Sequence, residues 1–365
     1  KCTVSFGTFD DNATAIAIQP DGRIVVAGWT FNGSDLDFAL SRFHTDGALD
    51  STFGQGGKLT TDLGGTDYAA SVVVQADGKI VVAGHHVAAF SAPDFVLARY
   101  QPDGKLDTAF GMAGFLTTDF DQNNDFGAAV ALQPDGKIIV AGLAVVGVNY
   151  EFALARYQSD GSPDEAFGNQ GKCTTDISPS DDKGISMLVL PDGKILLGGY
   201  LHNGVGFDFA LVRYLANGTP DQSFGTNGRV VTDFYGKDDL IASIALQPDG
   251  KILAAGRSSN GSHYNFAMAR YTTDGSLDVG FGDSGRVVTP LGHGFNSAFS
   301  VLVRPGGKIV LAGHAFNGTN LDFALARYEA GAVVSAGDPV AQRMTATVFP
   351  NPARQFATLE FALST

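Results

Sequence analysis

Apolar and polar positions recur along this chain with a period of 57 residues. The phrase Asp37-Phe38-Ala39-Leu40-Ser41-Arg42-Phe43 returns as Asp94-Phe95-Val96-Leu97-Ala98-Arg99-Tyr100. It continues through Arg156, Arg213 and Arg270 to Asp322-Phe323-Ala324-Leu325-Ala326-Arg327-Tyr328. A fixed period of this length marks one supersecondary unit, here copied six times. In residues 58–114 the pattern predicts four short strands: Lys58 to Asp62, Ala69 to Gln75, Lys79 to Gly84 and Asp94 to Tyr100. Ala76-Asp77-Gly78 supplies a hairpin turn, and its glycine permits the positive φ such a turn needs. No helical periodicity interrupts the strands.

The strands are apolar on both faces, as a sheet between two like sheets requires. Small and larger residues alternate on the second strand, Ala15 and Ala17 against Ile16 and Ile18, Ala129 and Ala131 against Val130 and Leu132. Small residues suit the crowded strand nearest a central axis. These features predict an all-β fold, a six-bladed β-propeller of four-stranded antiparallel blades over residues 1–328. The predicted units span about 1–57, 58–114, 115–171, 172–228, 229–285 and 286–328. The last unit stops at Tyr328, without the link that follows the others. Lys1-Cys2-Thr3-Val4-Ser5 matches Lys172-Cys173-Thr174-Thr175-Asp176, so the N-terminal strand is expected to complete the last blade and hide two sheet edges. A seventh blade remains open if a further unit precedes Lys1.

Two phenylalanine series are expected between blades: Phe38, Phe95, Phe152, Phe209, Phe266 and Phe323 on the fourth strand, and Phe53, Phe110, Phe167, Phe224 and Phe281 in the link. The periodic arginines are expected to pair with the link aspartates Asp50, Asp107, Asp164, Asp221 and Asp278. Cys2 and Cys173 occupy one repeat position three units apart, on opposite sides of a six-fold ring. They would lie beyond the roughly 7 Å Cα separation a disulfide spans, so no bridge is expected.

The 365 residues are 44% apolar and 17% charged, a globular profile. A net charge of −14 argues against nonspecific nucleic-acid partners. No run of 18 apolar residues predicts a membrane span. The chain opens on Lys1 and reads as a fragment or a mature form.

Leu132-Gln133-Pro134-Asp135-Gly136-Lys137-Ile138-Ile139-Val140-Ala141-Gly142 and Asp208-Phe209-Ala210-Leu211-Val212-Arg213-Tyr214, followed by Asp-Gly-x-Leu-Asp-x-x-Phe-Gly, resemble the delta-60 repeat family of bacterial propeller-like proteins. The resemblance covers residues 1–328 and implies a β-propeller without a general biochemical function. Residues 329–345 read as a linker. Phe349-Pro350-Asn351-Pro352, leading into Ala357 to Leu363, is similar to the start of a type IX secretion sorting domain of Bacteroidetes, truncated here within 346–365. That resemblance implies export through the type IX machinery and a secreted or outer-surface location. An ordinary Pro-Asn-Pro turn before a strand is the alternative.

No HExxH, G-x-S-x-G, GxxxxGK[ST] or CxxC motif appears. Two recurring positions carry candidate chemistry. Asp11, Asp67, Asp125, Asp182 and Asp239, with Asn296 in the sixth unit, open the second strand. Converging carboxylates would attract a hard cation such as Ca²⁺; alternatively each aspartate caps its own loop. After the Ala-Gly expected to end the third strand stand Trp29, His85, Leu143, Tyr200, Arg257 and His314, a variable position among constant ones. Trp29, His85, Tyr200, Arg257 and His314 are side chains much used in recognition. The alternative is a loop position free to drift. The leading expectation is a secreted or cell-surface propeller, leaning away from enzymatic activity, that binds a protein or glycan through one face. A hydrolase or lyase with a metal in the channel and a structural adhesin or spacer are the alternatives, and fold alone does not decide among them.

Overall fold

The computed structural model describes residues 2–89, 91–291, 294–329, 343–348 and 357–362. Every regular element among them is a β-strand, and the fold is an all-β, six-bladed β-propeller of antiparallel blades. The first blade comprises β1 (Asp11–Ile18), β2 (Ile24–Phe31), β3 (Leu36–Phe43) and β4 (Lys58–Thr61). The second comprises β5 (Gly65–Val74), β6 (Ile80–Ala88), β7 (Asp94–Tyr100) and β8 (Phe115–Thr118). The third comprises β9 (Asp125–Leu132), β10 (Ile138–Val146), β11 (Asn149–Tyr157) and β12 (Lys172–Thr175). The fourth comprises β13 (Asp182–Val189), β14 (Ile195–His202), β15 (Phe207–Tyr214) and β16 (Arg229–Thr232). The fifth comprises β17 (Asp239–Leu246), β18 (Ile252–Ser259), β19 (Tyr264–Tyr271) and β20 (Arg286–Thr289). The sixth has three strands, β21 (Ser297–Val303), β22 (Ile309–Phe316) and β23 (Leu321–Tyr328). A separate hairpin pairs β24 (Arg343–Val348) with β25 (Ala357–Ala362). Most of the predicted linker and the Pro350-Asn351-Pro352 sequence lie outside the described residues.

The chain divides into two compact units. One comprises residues 1–176, 191–193 and 216–219 and carries the first three blades. The other comprises 177–190, 194–215 and 220–365 and carries the last three. Strands pair in chain order within each sheet. The short strand at the head of each predicted unit closes the preceding blade, so β4 pairs with β3 and β8 with β7.

The N-terminal segment departs from expectation. Residues 2–10 form no strand, and the sixth sheet ends at β23. The similar sequence Lys172 to Thr175 becomes β12 because β11 lies beside it to pair with. The N-terminal segment is held to the first blade instead. The Phe6 N–H donates to Asp11 Oδ2 at 3.0 Å, and Lys58 Nζ donates to the Ser5 carbonyl at 2.6 Å. Phe120 and Lys172 make the same two contacts to Asp125 and to the Asp119 carbonyl, so residues 5–10 have the form of a lead-in loop.

The cores lie between successive blades. Val25, Ala27, Phe38, Leu40 and Phe53 of the first blade and its link meet Ala69, Val72, Ile80, Val82, Val96, Ala98 and Tyr100 of the second. Equivalent cores join the second blade to the third, the fourth to the fifth and the fifth to the sixth. Ile16 on β1 is 66% exposed, whereas the equivalent Val72 and Val130 are buried. Phe323 on β23 is 78% exposed, whereas Phe38, Phe95, Phe209 and Phe266 are wholly buried. Phe323 was expected to be buried with the rest of its series; Phe38 and Phe266 are covered by residues of the following blade, and Phe323 is exposed instead.

The arginine expectation is met with added detail. Arg42 Nε pairs with Asp50 Oδ2 at 2.8 Å, and Arg99 with Asp107, Arg213 with Asp221 and Arg270 with Asp278 at the same distance; Arg156 meets Asp164 at 2.7 Å. Each guanidinium also lies over the link phenylalanine, 4.0 to 4.7 Å from its ring centre. Its Nη1 donates to a backbone carbonyl one unit further on: Arg42 to Pro102, Arg99 to Ser159, Arg213 to Thr273. Burial alone would raise the Asp50 carboxyl. Hydrogen bonds from the Thr52 hydroxyl and N–H, with the Arg42 charge, overcome that and hold it at about 2. A second tie repeats nearby: Tyr100 Oη donates to Thr61 Oγ1 at 3.0 Å, and Tyr271 Oη to Thr232 Oγ1 at 2.8 Å.

Both cysteines are free; Cys2 is exposed, and burial pushes the Cys173 thiol up to about 12. The native chain should therefore show one thiol that alkylates readily at pH 8, Cys2, and a second that labels only after denaturation, as peptide mass spectrometry would read. Arg99→Ala, which leaves the buried Asp107 only Lys79 at 3.4 Å as a counter-charge, should lower unfolding free energy by about 3 kcal/mol. Phe323→Ser, at an exposed position, should stay within about 0.5 kcal/mol. Urea melts of both variants check the contrast.

Candidate functional site

In every blade the first two strands pair with one register shift, and a glycine of the second strand stands beside it: Gly28, Gly84, Gly142, Gly199, Gly256 and Gly313. A Cβ on Gly84 would sit 1.7 Å from the Tyr68 carbonyl oxygen, and one on Gly142 2.0 Å from that of Phe126. Only glycine fits such a close backbone approach. The strand runs on past it. Trp29, His85, Leu143, Tyr200, Arg257 and His314 therefore lie within strands β2, β6, β10, β14, β18 and β22, beyond the point where the Ala-Gly pair was expected to end them.

Their cross-strand partners are the residues after the opening aspartates. Tyr68 faces His85, Phe126 faces Leu143, Lys183 faces Tyr200 and Leu240 faces Arg257. In the first unit these positions form a strip of half-buried rings. Trp29 and Tyr68 have centroids 5.3 Å apart, and Tyr68 stacks on His85 at 5.0 Å with 9° between planes. His85 meets Phe126 edge-on at 4.9 Å, and Phe126 reaches Tyr150 at 6.2 Å. Burial lowers the His85 imidazole to about 4, so it is neutral at pH 7 and stacks as an uncharged ring.

The second unit holds two smaller groups. Tyr200 and His202 both meet Phe207 edge-on, at 5.3 and 5.1 Å. The Arg257 guanidinium lies 5.2 Å from the Tyr264 ring and 4.9 Å from that of Phe295, and Phe295 stacks on His314 at 5.5 Å. Burial, with the Arg257 charge, lowers His314. Arg257 Nε has no hydrogen-bond partner among the described residues. Tyr68, Phe126, Tyr150, Tyr264 and Phe295 escaped sequence reasoning. The position after each opening aspartate varies as the Trp29 position does, a signal that would have found Tyr68 and Phe126.

Asp67, Asp125, Asp182 and Asp239 are buried, whereas Asp11 is exposed. Asp11 accepts from the Thr30 hydroxyl at 2.6 Å and Asp67 pairs with His86 Nδ1 at 2.6 Å. Asp182 accepts from the N–H groups of Ile177 and Ser178 and from the Ser178 hydroxyl. Among the described residues no group of three potential metal ligands contains two of these aspartates. Asp67, Asp125 and Asp239 each fall with two other acids instead: Asp37 and Asp62, Asp94 and Asp119, Asp208 and Asp233. Within each group one oxygen per carboxylate lies within 4.8 Å of the others. Burial, with the Asp119 and Asp94 charges, raises Asp125 to about 7, despite a hydrogen bond from the Phe120 N–H. Burial, with Asp233 and Asp208, raises Asp239 to about 7.

A family described as "Domain of unknown function (DUF5122) beta-propeller" matches residues 19–53, 75–110, 133–167, 190–224, 247–281 and 305–331. No curated protein matches the chain. A protein of unknown function from Dyadobacter fermentans is similar in structure at 12% identity and a TM-score of 0.54, over 86% of this chain and 94% of that one. Sqt1 from Chaetomium thermophilum is similar at 15% identity and a TM-score of 0.46, over 97% of each. The PQQ-bound aldose sugar dehydrogenase of Streptomyces coelicolor is similar at 12% identity and a TM-score of 0.49, over 87% of this chain and 95% of that one. These likenesses concern the fold.

Asp125 and Asp239 hold protons to about 7 in the folded chain against an ordinary 3.8, so the folded state binds more protons between those values. Their contribution to stability is present below 3.8 and is lost as pH rises through 7. In EDTA, the melting temperature should fall from pH 5 to pH 8.5, and Asp125→Asn should reduce that fall, as scanning calorimetry would measure.

Proposed function

Since the chain belongs to the family described as "Domain of unknown function (DUF5122) beta-propeller", whose description gives a fold without an activity, we propose that it is a non-enzymatic propeller that binds glycans on the aromatic strip of its first unit. The observation that carries this reading is the run of rings Trp29, Tyr68, His85, Phe126 and Tyr150, each within 6.2 Å of the next and each partly open to solvent. A pyranose presents an apolar C–H face and a polar rim. Half-buried rings offer the first a flat surface at little conformational cost. Strand positions hold them more firmly than loops would. The Arg257, Tyr264, Phe295 and His314 group suits a sugar bearing a carboxylate or sulfate, since it sets a guanidinium beside two aromatic rings. The Pro350-Asn351-Pro352 tail supports a secreted or cell-surface location.

A glycan array probed with the whole chain should give a small set of hits. Trp29→Ala and Tyr68→Ala should each weaken the best hit at least about tenfold, or about 1.4 kcal/mol, with an unchanged melt. An empty array, or hits that both variants bind unaltered, would remove this reading. New reducing ends released from a bound glycan, and suppressed by EDTA, would favour a metal-dependent hydrolase or lyase instead.

A further inference from the structure

We propose that the groups Asp94–Asp119–Asp125, Asp37–Asp62–Asp67 and Asp208–Asp233–Asp239 are sites for a hard divalent cation, Ca²⁺, each placed where the strands of one blade meet the first strand of the next. The site stands apart from the aromatic strip and does not depend on it.

The second-to-third blade joint shows the arrangement most fully. Asp94 opens β7, Asp119 follows the end of β8, and Asp125 opens β9. Asp125 is wholly buried. Its Oδ2 accepts from the Phe120 N–H at 2.7 Å, while its Oδ1 has no hydrogen-bond partner among the described residues. A buried carboxylate oxygen left without a donor is costly. The same defect recurs in the other groups. Oδ1 of Asp37 and of Asp208 are also buried and without a hydrogen-bond partner among the described residues, in side chains 7% and 5% exposed, while Asp239 has the Ser258 hydroxyl opposite it. Orphan oxygens at two repeated positions of the same joint point to a ligand that protein donors do not supply.

The fifth blade supplies an internal control. There the three positions become Asn265, Pro290 and Asn296. The acids disappear together, and so does the defect: Asn296 Nδ2 donates to the Tyr264 carbonyl at 3.0 Å and its Oδ1 accepts from the Phe316 N–H at 3.0 Å. Amide residues close their own hydrogen bonds at this place, whereas the aspartates leave an acceptor over. The three groups also differ among themselves. His86 lies against Asp67 and satisfies its Oδ1, while Ala144 stands opposite Asp125 and offers nothing. The Asp94–Asp119–Asp125 group should therefore bind tightest and the Asp37–Asp62–Asp67 group weakest.

Donor chemistry selects the ion. All ligands are carboxylate oxygens, as suits Ca²⁺ over zinc or copper; His86, opposite both Asp67 and Asp94, bonds to Asp67. Asp119 and Asp233 are exposed, so water can complete the coordination. Bound there, the cation would replace repulsion between the carboxylates with attraction across the joint.

The experiment uses the whole chain, stripped with EDTA and exchanged into metal-free buffer at pH 7.5. Titration with CaCl₂ in a calorimeter should give saturable heat, and saturating Ca²⁺ should raise the melting temperature by about 5 °C. Tb³⁺ luminescence, displaced by Ca²⁺, reads the same sites without any substitution. The double variant Asp94→Asn/Asp125→Asn should lose the tightest site and part of the thermal shift, while Asp46→Asn, an exposed turn acid outside the groups, should lose neither. Absence of heat and of Tb³⁺ luminescence, a shift reproduced by NaCl at matched ionic strength, or a double variant as responsive as the parent would each overturn the proposal.

Discussion

A guanidinium anchored at three points holds the first blade to the second, the second to the third and the fourth to the fifth, and much of the fold depends on it. The periodic arginine ties its own strand to the link aspartate, lies on the link phenylalanine and reaches a carbonyl sixty residues further along. Charge, ring and backbone are thereby fixed together in a buried place, where losing any one leaves the others without partners. The joint is uneven along its length. Arg99 stands near one end of β7 and Asp94 opens the other, so attraction holds one end of the strand while like charges crowd the opposite one. The fifth blade, with amides in place of those acids, relieves the crowding by hydrogen bonds alone.

Much of this was legible in the sequence because it is local and repeated. The period, the hairpin glycines, the link phenylalanines and the Arg–Asp pairs eight residues apart all reside within one unit, so six copies made them visible. What escaped depends on partners elsewhere. Nothing in Lys1 to Ser5 distinguishes it from Lys172 to Asp176; only the presence of β11 makes the second a strand. The continuation of β6 past Gly84 follows from a register shift, which sequence periodicity does not report. The acid groups draw on residues from one blade and the start of the next, about thirty positions apart, so reading the opening aspartates as one series did not bring these groups together. Ile16 and Phe323 match their equivalents in pattern but not in burial, a difference the repeat alone does not report.

The two candidate chemistries share an origin. Asp67 and Tyr68, like Asp125 and Phe126, are consecutive on a strand and so point to opposite sides of it. One residue turns toward the blade joint and the other toward the half-open strip. Conformation at the start of these strands thus bears on both, and a rigid start serves recognition by keeping the rings in register before any ligand arrives.

Because each arginine spans no further than the adjoining unit, a unit can be duplicated or excised as a whole and every remaining junction still finds its counterpart. The gene for such a chain is free to lengthen or shorten by recombination between its own near-identical segments, and the side chains beside Gly28, Gly84 and their equivalents are where the copies can then diverge without loosening the scaffold.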